Sequence, residues 1–141
     1  MNIDECLKER ILRKISVDLN KVESSIRVAE AKFEKAKELL DSEFFNESVL
    51  SAYTSMFHIA RALLYKDGIQ EKSHYAVYIY LNEKYTKQIS KNLINAFYNY
   101  QKERHNVLYS FNEELSKEDA EEAVFFASDF LIAIKLILEN N

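Results

Sequence analysis

The sequence contains one glycine, Gly68, and no proline among its 141 residues. A sheet-rich protein of this size needs many tight turns, and tight turns draw heavily on glycine, proline and Asn-Gly pairs. The shortage of both residues therefore predicts long helices joined by a few short loops. A chain of this length is typical of one domain, and we predict a single domain over residues 1–141.

Cysteine is equally scarce, since Cys6 is the only one in the sequence. A lone cysteine excludes a disulfide within the chain and a cysteine-rich zinc site. No apolar run approaches the roughly 20 residues that cross a bilayer, and the charged N-terminus lacks the apolar core of a signal peptide. We therefore predict a cytoplasmic protein with no membrane partner.

The short motifs of cofactor and metal sites are missing as well. One glycine cannot build a Walker P-loop or a Gly-x-Gly-x-x-Gly turn. No two of the three histidines, His58, His74 and His105, have the spacing of a helical zinc site such as His-Glu-x-x-His. We predict neither a cofactor nor a bound metal.

Charge is unevenly distributed along the chain, whose net charge is −4. Residues 66–105 carry seven Lys and Arg against four Asp and Glu, whereas residues 106–141 carry two against eight. A dedicated duplex-binding protein is usually basic overall. This chain therefore offers nucleic acid a local basic surface rather than a broad one.

Apolar residues recur at helical spacing along most of the chain and predict five or six helices. The predicted helices cover approximately residues 4–14, 19–40, 46–65, 74–85, 90 to beyond 104, and 116 to the C-terminal end. Gly68 is expected to cap the third helix, and Ser116 with Asp119 resembles the capping box that opens the last one. The segment 75–80 has high β-propensity, but a lone strand would have no partner.

Two arginines, Arg61 and Arg104, lie where the helical periodicity calls for apolar residues. A charged group that faces a core costs several kcal/mol unless it is paired or reaches a wet cleft. Each arginine is therefore either half of a structural ion pair or a binding group. Composition alone favours the ion pair, and it does so more strongly for Arg61.

Arg104 is the better candidate for a functional residue because of its neighbours His105, Asn106 and Tyr109. Arginine, histidine, amide and phenol together can bind a phosphate and move a proton. We predict catalytic roles for Arg104, His105 and Tyr109, with Asn106 binding substrate. The aromatic residues could stack nucleobases, but most of them are expected in the core, and Tyr100 and Tyr109, near Arg104, are the better candidates for stacking.

A second group of candidates surrounds the start of the fourth helix. His74 follows Lys72 at a helix N-terminus, where backbone N–H groups attract anions. We predict that Lys72, His74 and Arg61 bind substrate, or alternatively that they form a stand-alone nucleotide sensor. The structural alternatives are an exposed loop histidine at position 74 and a hydrogen-bonded boundary residue at His58.

Two stretches of the chain carry a resemblance to a known family. Ser51–Leu64, SAYTSMFHIARALL, continues through Gly68 to Lys72-Ser-His74, and is similar to the signature A-Y-x-A-x-F-H-x-A-R-A-L-L…G…K-x-H. Residues 104–109, RHNVLY, and the apolar last helix resemble an R-x-x-x-D-Y segment and its closing helix. Both signatures belong to the HEPN (higher eukaryote and prokaryote nucleotide-binding) domain family, in the prokaryotic branch associated with toxin–antitoxin nucleotidyltransferase pairs.

The resemblance implies an all-α, up-and-down helical bundle of five to six helices that forms a homodimer. It also implies a toxin-like role with a minimal nucleotidyltransferase as partner. Active members resemble metal-independent ribonucleases with an R-x(4–6)-H motif, in which the arginine binds the scissile phosphate and the histidine is acid or base. Here the histidine slot holds Tyr109, and a phenol is a poor base at neutral pH. The aspartate usual in this branch is Leu108.

The resemblance therefore predicts a protein that binds RNA or a nucleotide, with divergent metal-independent ribonuclease activity left open. In that hypothesis Arg104 binds phosphate and His105 is the nearby group that titrates near pH 7. The alternative is a non-catalytic helical module for protein–protein interaction. The two hypotheses differ in whether Arg104 opens into a cleft or is sealed in the core.

Overall fold

The computed structural model describes residues 1–109 and 114–140, apart from the side chains of Leu108 and Tyr109. Within these ranges the chain forms α1 (Ile3–Lys8), β1 (Leu12–Lys14), α2 (Leu19–Asp41), α3 (Phe45–Lys66), β2 (Ile69–Glu71), α4 (His74–Lys84), α5 (Lys91–Tyr109) and α6 (Lys117–Glu139). The prediction of an all-α helical bundle is confirmed, because the only sheet in the described ranges is a single short strand pair.

The helix starts and ends follow local sequence signals. The Ser73 side chain accepts a hydrogen bond from the N–H of Ala76 at the start of α4. Ser116 and Asp119 form the expected capping box of α6. Gly68 has a φ of 73°, the left-handed conformation that glycine adopts without strain, just beyond the end of α3. These signals act within one turn of the chain, which is why the predicted bounds of α2 to α4 lie close to the observed ones.

The predicted first helix over residues 4–14 is wrong in its second half. The chain leaves α1 at Arg10, which has a φ of 62°. The N–H of Ile11 donates to the carbonyl of Cys6 at 3.0 Å, which is the six-to-one bond of a Schellman motif. Glycine usually occupies this left-handed position, and an arginine there gives no sequence signal for the helix end.

The residues after this turn form β1, which pairs antiparallel with β2. Leu12 lies opposite Glu71, and Lys14 lies opposite Ile69. Three-residue strands are too short to show the alternation that marks a strand in the sequence. The segment 75–80 with high β-propensity is helical, as predicted.

Helix α3 occupies the centre of the bundle and packs against α2, α5 and α6. Small residues allow a close approach to α2: the hydroxyls of Ser48 and Ser55 donate to the carbonyls of Ala36 and Ala29 at 2.8 and 2.6 Å. The residues of α6 predicted to face inward are all buried: Ala123, Ala127, Phe130, Ile134 and Ile137. Burying a large apolar side chain contributes about 1.5–3 kcal/mol. Because these buried side chains hold α2, α5 and α6 against α3, they also fix the orientation of α3, which carries part of the candidate site.

Candidate functional site

A tyrosine and a histidine from different helices form the centre of the candidate site. The phenol oxygen of Tyr53, on α3, lies 2.7 Å from Nδ1 of His74, the first residue of α4. Tyr53 is buried, and the imidazole stacks on the ring of Phe57 with centroids 4.1 Å apart and planes inclined by 13°. The hydrogen bond and the stacking together hold the His74 ring in one orientation.

Arg104, on α5, brings a positive charge to this pair. Burial lowers the pKa of His74 below its usual value, and the Arg104 guanidinium lowers it further. Burial raises the pKa of Tyr53, and Arg104 opposes that rise. Arg104 itself is partly exposed, and within residues 1–109 and 114–140 no carboxylate forms an ion pair with it. The Arg104 charge therefore acts on both members of a neutral phenol–imidazole pair.

Arg61 has different surroundings. Its Nε donates to Oε1 of Glu71 at 2.6 Å, and the Glu71 side chain is only 8% exposed. The guanidinium also lies over the ring of Tyr65, with 5.1 Å to the centroid. The structural ion pair left open by the sequence is thus the arrangement found at Arg61. Its charge still contributes to the site, because it too lowers the pKa of His74.

His58 lies beside these groups on α3. Burial, then Arg61 and then Lys32 lower its pKa. Its ring meets Phe57 edge-on, with centroids 5.6 Å apart. Since an unperturbed histidine has a pKa of about 6.5, both His58 and His74 are neutral at pH 7.

His105 and Asn106, which follow Arg104 in the sequence, lie on other parts of the α5 surface. Each step along an α-helix turns by about 100°, and both His105 and Asn106 are exposed where Arg104 is partly buried. The prediction for the Tyr109 side chain falls outside the described residues. The histidine whose pKa the Arg104 charge lowers is instead His74, from a distant part of the sequence.

Lys72 is exposed at the end of β2 and lines a different pocket, of about 390 Å³. The described lining of this pocket contains four cations and no carboxylate: Arg10, Arg13, Lys14 and Lys72, with Leu7 and Leu12. We call these four cations the basic sheet surface. It exists because β1 pairs with β2, and that pairing was not predicted from the sequence.

Tyr100, considered for base stacking, has acidic surroundings. Its hydroxyl lies 3.5 Å from Oε1 of Glu122. Burial raises the pKa of Tyr100, and so do the charges of Glu122, Asp119 and Glu103. The same carboxylates line an adjacent pocket of about 670 Å³. Three carboxylates repel phosphate, so the pocket beside Tyr100 is unfavourable for RNA.

Tyr53 was not predicted as a site residue, although the sequence contained a signal for it. It is the tyrosine of the A-Y pair in the stretch that carries the family resemblance, and His74 is the last residue of the same stretch. Tyr53 and His74 are 21 residues apart and belong to different helices, so helical periodicity does not predict a contact between them. Only the packing of α4 on α3 brings the two side chains together.

Metal binding and membrane insertion find no support in the parts of the chain that are described. Over residues 1–109 and 114–140, no group of three or more His, Cys, Asp and Glu side chains is arranged to hold a metal ion. Among the helices of those ranges, none combines the length and the apolar character of a membrane span. The site consists of arginine, histidine and tyrosine, which suit an anionic ligand.

Comparison with known proteins supplies relatives. Over 124 residues the chain is 28% identical to "Putative toxin MJ0605" of Methanocaldococcus jannaschii, which covers 84% of this chain and 90% of that protein. It is 33% identical over 105 residues to "Putative toxin MJ0142" of the same organism, covering 71% of this chain and 69% of that protein. A shorter match, 39% identical over 56 residues, links it to "UPF0332 protein PH1297" of Pyrococcus horikoshii and covers 40% of this chain and 39% of that protein.

A family model, described as the HEPN domain, matches residues 22–137. The match includes Tyr53, His74 and Arg104, and it leaves out α1 and β1. It covers most of the chain, and it agrees with the observed helical bundle. This chain therefore belongs to the HEPN domain family.

Proposed function

We propose that this protein binds RNA through a phosphate held by Arg104 beside the Tyr53–His74 pair. The observation that carries the proposal is the Arg104 guanidinium, which has no carboxylate partner among the described residues and whose charge acts on both members of the hydrogen-bonded Tyr53–His74 pair. A guanidinium in a partly buried site favours a ligand that supplies the missing negative charge, and its planar donors match the geometry of phosphate.

The charges around His74 support an anionic ligand as well. Arg104, His58 and Arg61 all make it harder to protonate this imidazole in the free protein. A bound phosphate supplies opposite charge, so it favours the protonated imidazole and gains a second charge-assisted hydrogen bond. Binding of the anion and uptake of a proton by His74 are therefore coupled.

The basic sheet surface favours an RNA strand over a single nucleotide. Lys72 precedes His74 by two residues, and an extended chain spans about 7 Å over that distance. A strand that extends from His74 towards Lys72 would therefore meet further cations. Phosphate contacts of this kind supply affinity without sequence preference.

The role in the cell is part of the same proposal. The names of the two Methanocaldococcus jannaschii relatives support a toxin-type protein. The branch that the sequence resembles supports a homodimer and a minimal nucleotidyltransferase as the antitoxin partner. Growth arrest on expression, relieved by co-expression of such a partner and accompanied by co-purification, is the expected result. Light scattering that shows a monomer at millimolar concentration would contradict the homodimer.

The RNA-binding proposal is tested with fluorescence anisotropy of a labelled single-stranded RNA. We expect Arg104→Ala to bind about 10-fold to 100-fold more weakly than the unchanged protein, since a hydrogen bond to a charged group contributes about 1.5–3 kcal/mol. Arg27→Ala, which removes an exposed arginine of α2, is the matched control and should bind within about 2-fold. Equal loss in both variants would assign the effect to net charge. No binding by the unchanged protein would favour the interaction module instead.

A second candidate function, metal-independent RNA cleavage, is favoured by the position of His74. A neutral imidazole beside a phosphate-binding arginine is a suitable general base, and Tyr53 orients it. The test is an assay of RNA cleavage in the presence of a chelator. Cleavage that is lost in His74→Ala and kept in His105→Ala would assign the base to His74, and the reverse result would assign it to His105. No cleavage by the unchanged protein would leave binding alone.

A further inference from the structure

We propose that Tyr75, Tyr78 and Tyr98 form a platform on which a base of single-stranded RNA stacks, next to the phosphate site at Arg104. These three residues are called the tyrosine platform below. The inference rests on the proposed RNA binding and adds to it how a nucleobase is held. It concerns a surface that neither the phosphate site nor the basic sheet surface includes.

The three rings come from two helices and form one group. Tyr78 of α4 and Tyr98 of α5 are stacked, with centroids 4.3 Å apart and planes inclined by 14°. Tyr75 lies 6.0 Å from Tyr78 and 6.1 Å from Tyr98. Stacked and tilted aromatic pairs at these distances contribute to the packing of α4 on α5. The contacts also fix the orientation of the rings.

The platform lies nearer the surface than four other tyrosines of the chain. Tyr53, Tyr65, Tyr80 and Tyr85 are buried. Tyr75 is 37% exposed, and Tyr78 and Tyr98 are partly exposed. Rings that serve packing alone gain most when they are fully buried, so a partly exposed group of one stacked pair and one tilted ring leaves aromatic area available for a ligand.

A cation accompanies the rings, as single-stranded nucleic acid requires. The Lys102 ammonium lies 4.7 Å from the centroid of the Tyr98 ring. At about 100° per residue, Tyr98, Lys102 and His105 fall within roughly 60° of one another on the surface of α5. Aromatic rings that stack bases, beside cations that contact the backbone, are the combination with which proteins bind single strands.

The platform adjoins the phosphate site along the chain in both helices. Tyr75 directly follows His74 in α4. Tyr98 precedes Arg104 by six residues of α5, which is a rise of about 9 Å along the helix axis and leaves the two residues roughly 120° apart around it. A stacked strand rises about 3.4 Å per nucleotide, so a strand that contacts Arg104 with a phosphate and the platform with a base spans at least about three nucleotides and crosses from one face of α5 to another.

The test separates base stacking from phosphate binding by using two labelled oligonucleotides of equal length and charge. One is a single-stranded RNA, and the other carries abasic ribose at every position. Stacking of one base on an aromatic side chain contributes about 1–3 kcal/mol. We therefore expect the unchanged protein to bind the base-bearing strand at least about 5-fold more tightly than the abasic one, by fluorescence anisotropy.

Matched substitutions identify the rings that are responsible. The double variant Tyr75→Leu with Tyr98→Leu keeps apolar volume but removes the rings, and it should bind both strands equally. Tyr75→Phe with Tyr98→Phe keeps the rings and should preserve the preference. Phe125→Leu removes an exposed ring of α6 and should also preserve it. Arg104→Ala should weaken both strands by a similar factor and leave their ratio unchanged.

Two results would overturn the platform and leave the phosphate site standing. The first is equal affinity of the unchanged protein for both strands. The second is a preference that survives in a leucine double variant with the helix content and melting temperature of the unchanged protein. Failure of both strands to bind the unchanged protein would overturn the proposed function and this inference together. The ratio for the unchanged protein needs no substitution, so equal affinity for the two strands refutes the platform even if the leucine variant fails to fold, and the phenylalanine variant then serves as the folded comparison.

Discussion

Arg61 and Arg104 occupy the same kind of position in two helices, and the structure gives them opposite surroundings. Each lies on the inward-facing stripe of its helix, at a place where the periodicity calls for an apolar residue. Arg61 donates to the buried carboxylate of Glu71, whereas Arg104 has no described carboxylate partner and its charge acts on the neutral Tyr53–His74 pair. An arginine that interrupts an apolar stripe can therefore be structural or functional, and the groups around its guanidinium distinguish the two cases.

The two arginines also differ in what offsets the free-energy cost of removing the guanidinium charge from water. At Arg61 the two opposite charges come from one chain, and the strand pairing of Leu12 with Glu71 holds the carboxylate in place. At Arg104 partial exposure keeps the cost low until a ligand arrives. We therefore expect substitutions at the first site to change stability and substitutions at the second to change binding.

Glu71→Ala should produce the largest effect on stability. Removing one partner of a buried ion pair costs about 3–5 kcal/mol. Because the Arg61 side chain is 28% exposed, we expect about 3 kcal/mol. Urea unfolding followed by circular dichroism measures this loss, and RNA affinity under folding conditions should change little.

Glu30→Ala is the control, since its ion pair with Lys135 is exposed and should contribute less than about 1 kcal/mol. If Glu71→Ala were as stable as the unchanged protein but bound RNA weakly, Arg61 would belong to the binding site and the comparison would fail.

Arg104→Ala should have the opposite effects, namely little change in stability and a large loss of RNA affinity. The free energy of unfolding should stay within about 1 kcal/mol of the unchanged protein, because no described carboxylate loses a partner. Thermal melts measure it beside the RNA titrations described above. A loss of several kcal/mol with unchanged RNA affinity would make Arg104 a structural residue like Arg61.

Tyr53→Phe should lower stability less than Glu71→Ala does, and it tests whether the Tyr53 hydroxyl orients the His74 ring. The substitution removes the hydroxyl bonded to His74 but keeps the ring that packs against Phe97 with centroids 5.7 Å apart. We expect a loss of about 1 kcal/mol in chemical unfolding, the typical net contribution of one hydrogen bond. Unchanged stability together with unchanged RNA affinity would show that the phenol does not orient the imidazole.

The pH dependence should be the smallest effect, and its sign differs between the free and the bound protein. The pKa of His74 and that of His58 are lowered in the folded state, so the unfolded chain binds protons more readily. Their contribution to stability is therefore complete above pH about 6.5 and is lost as the pH falls towards the folded pKa values. Melts at pH 7.5 and 5.5 should show this loss.

RNA binding should respond in the opposite direction, because a bound phosphate favours the protonated imidazole. We expect affinity to rise as the pH falls from about 7.5 to 6, and to do so less in His74→Gln than in the unchanged protein. His105→Gln is the control and should retain most of the rise. If instead the rise disappears in His105→Gln alone, the phosphate lies against the outer face of α5.

Much of the fold was predictable because its signals are local. The bounds of α2, α3 and α4 follow from apolar spacing, from the serine cap at residue 73 and from Gly68. The end of α1 was not predictable, since Arg10 adopts a left-handed conformation that the sequence normally marks with glycine. The strand pair was not predictable either. It is stabilised by hydrogen bonds between segments about 57 residues apart, and neither strand has a sequence pattern of its own.

The sequence by itself determined the helical class, the inward faces of the helices and the two arginines that interrupt them. Periodicity and capping depend on residues within a few positions of one another, so they can be read along the chain. Only the tertiary structure decided that Arg61 pairs with Glu71 and that the charge of Arg104 acts on His74. Those choices depend on how β2 and α4 pack against α3, and helical spacing carries no information about contacts between segments that are distant along the chain.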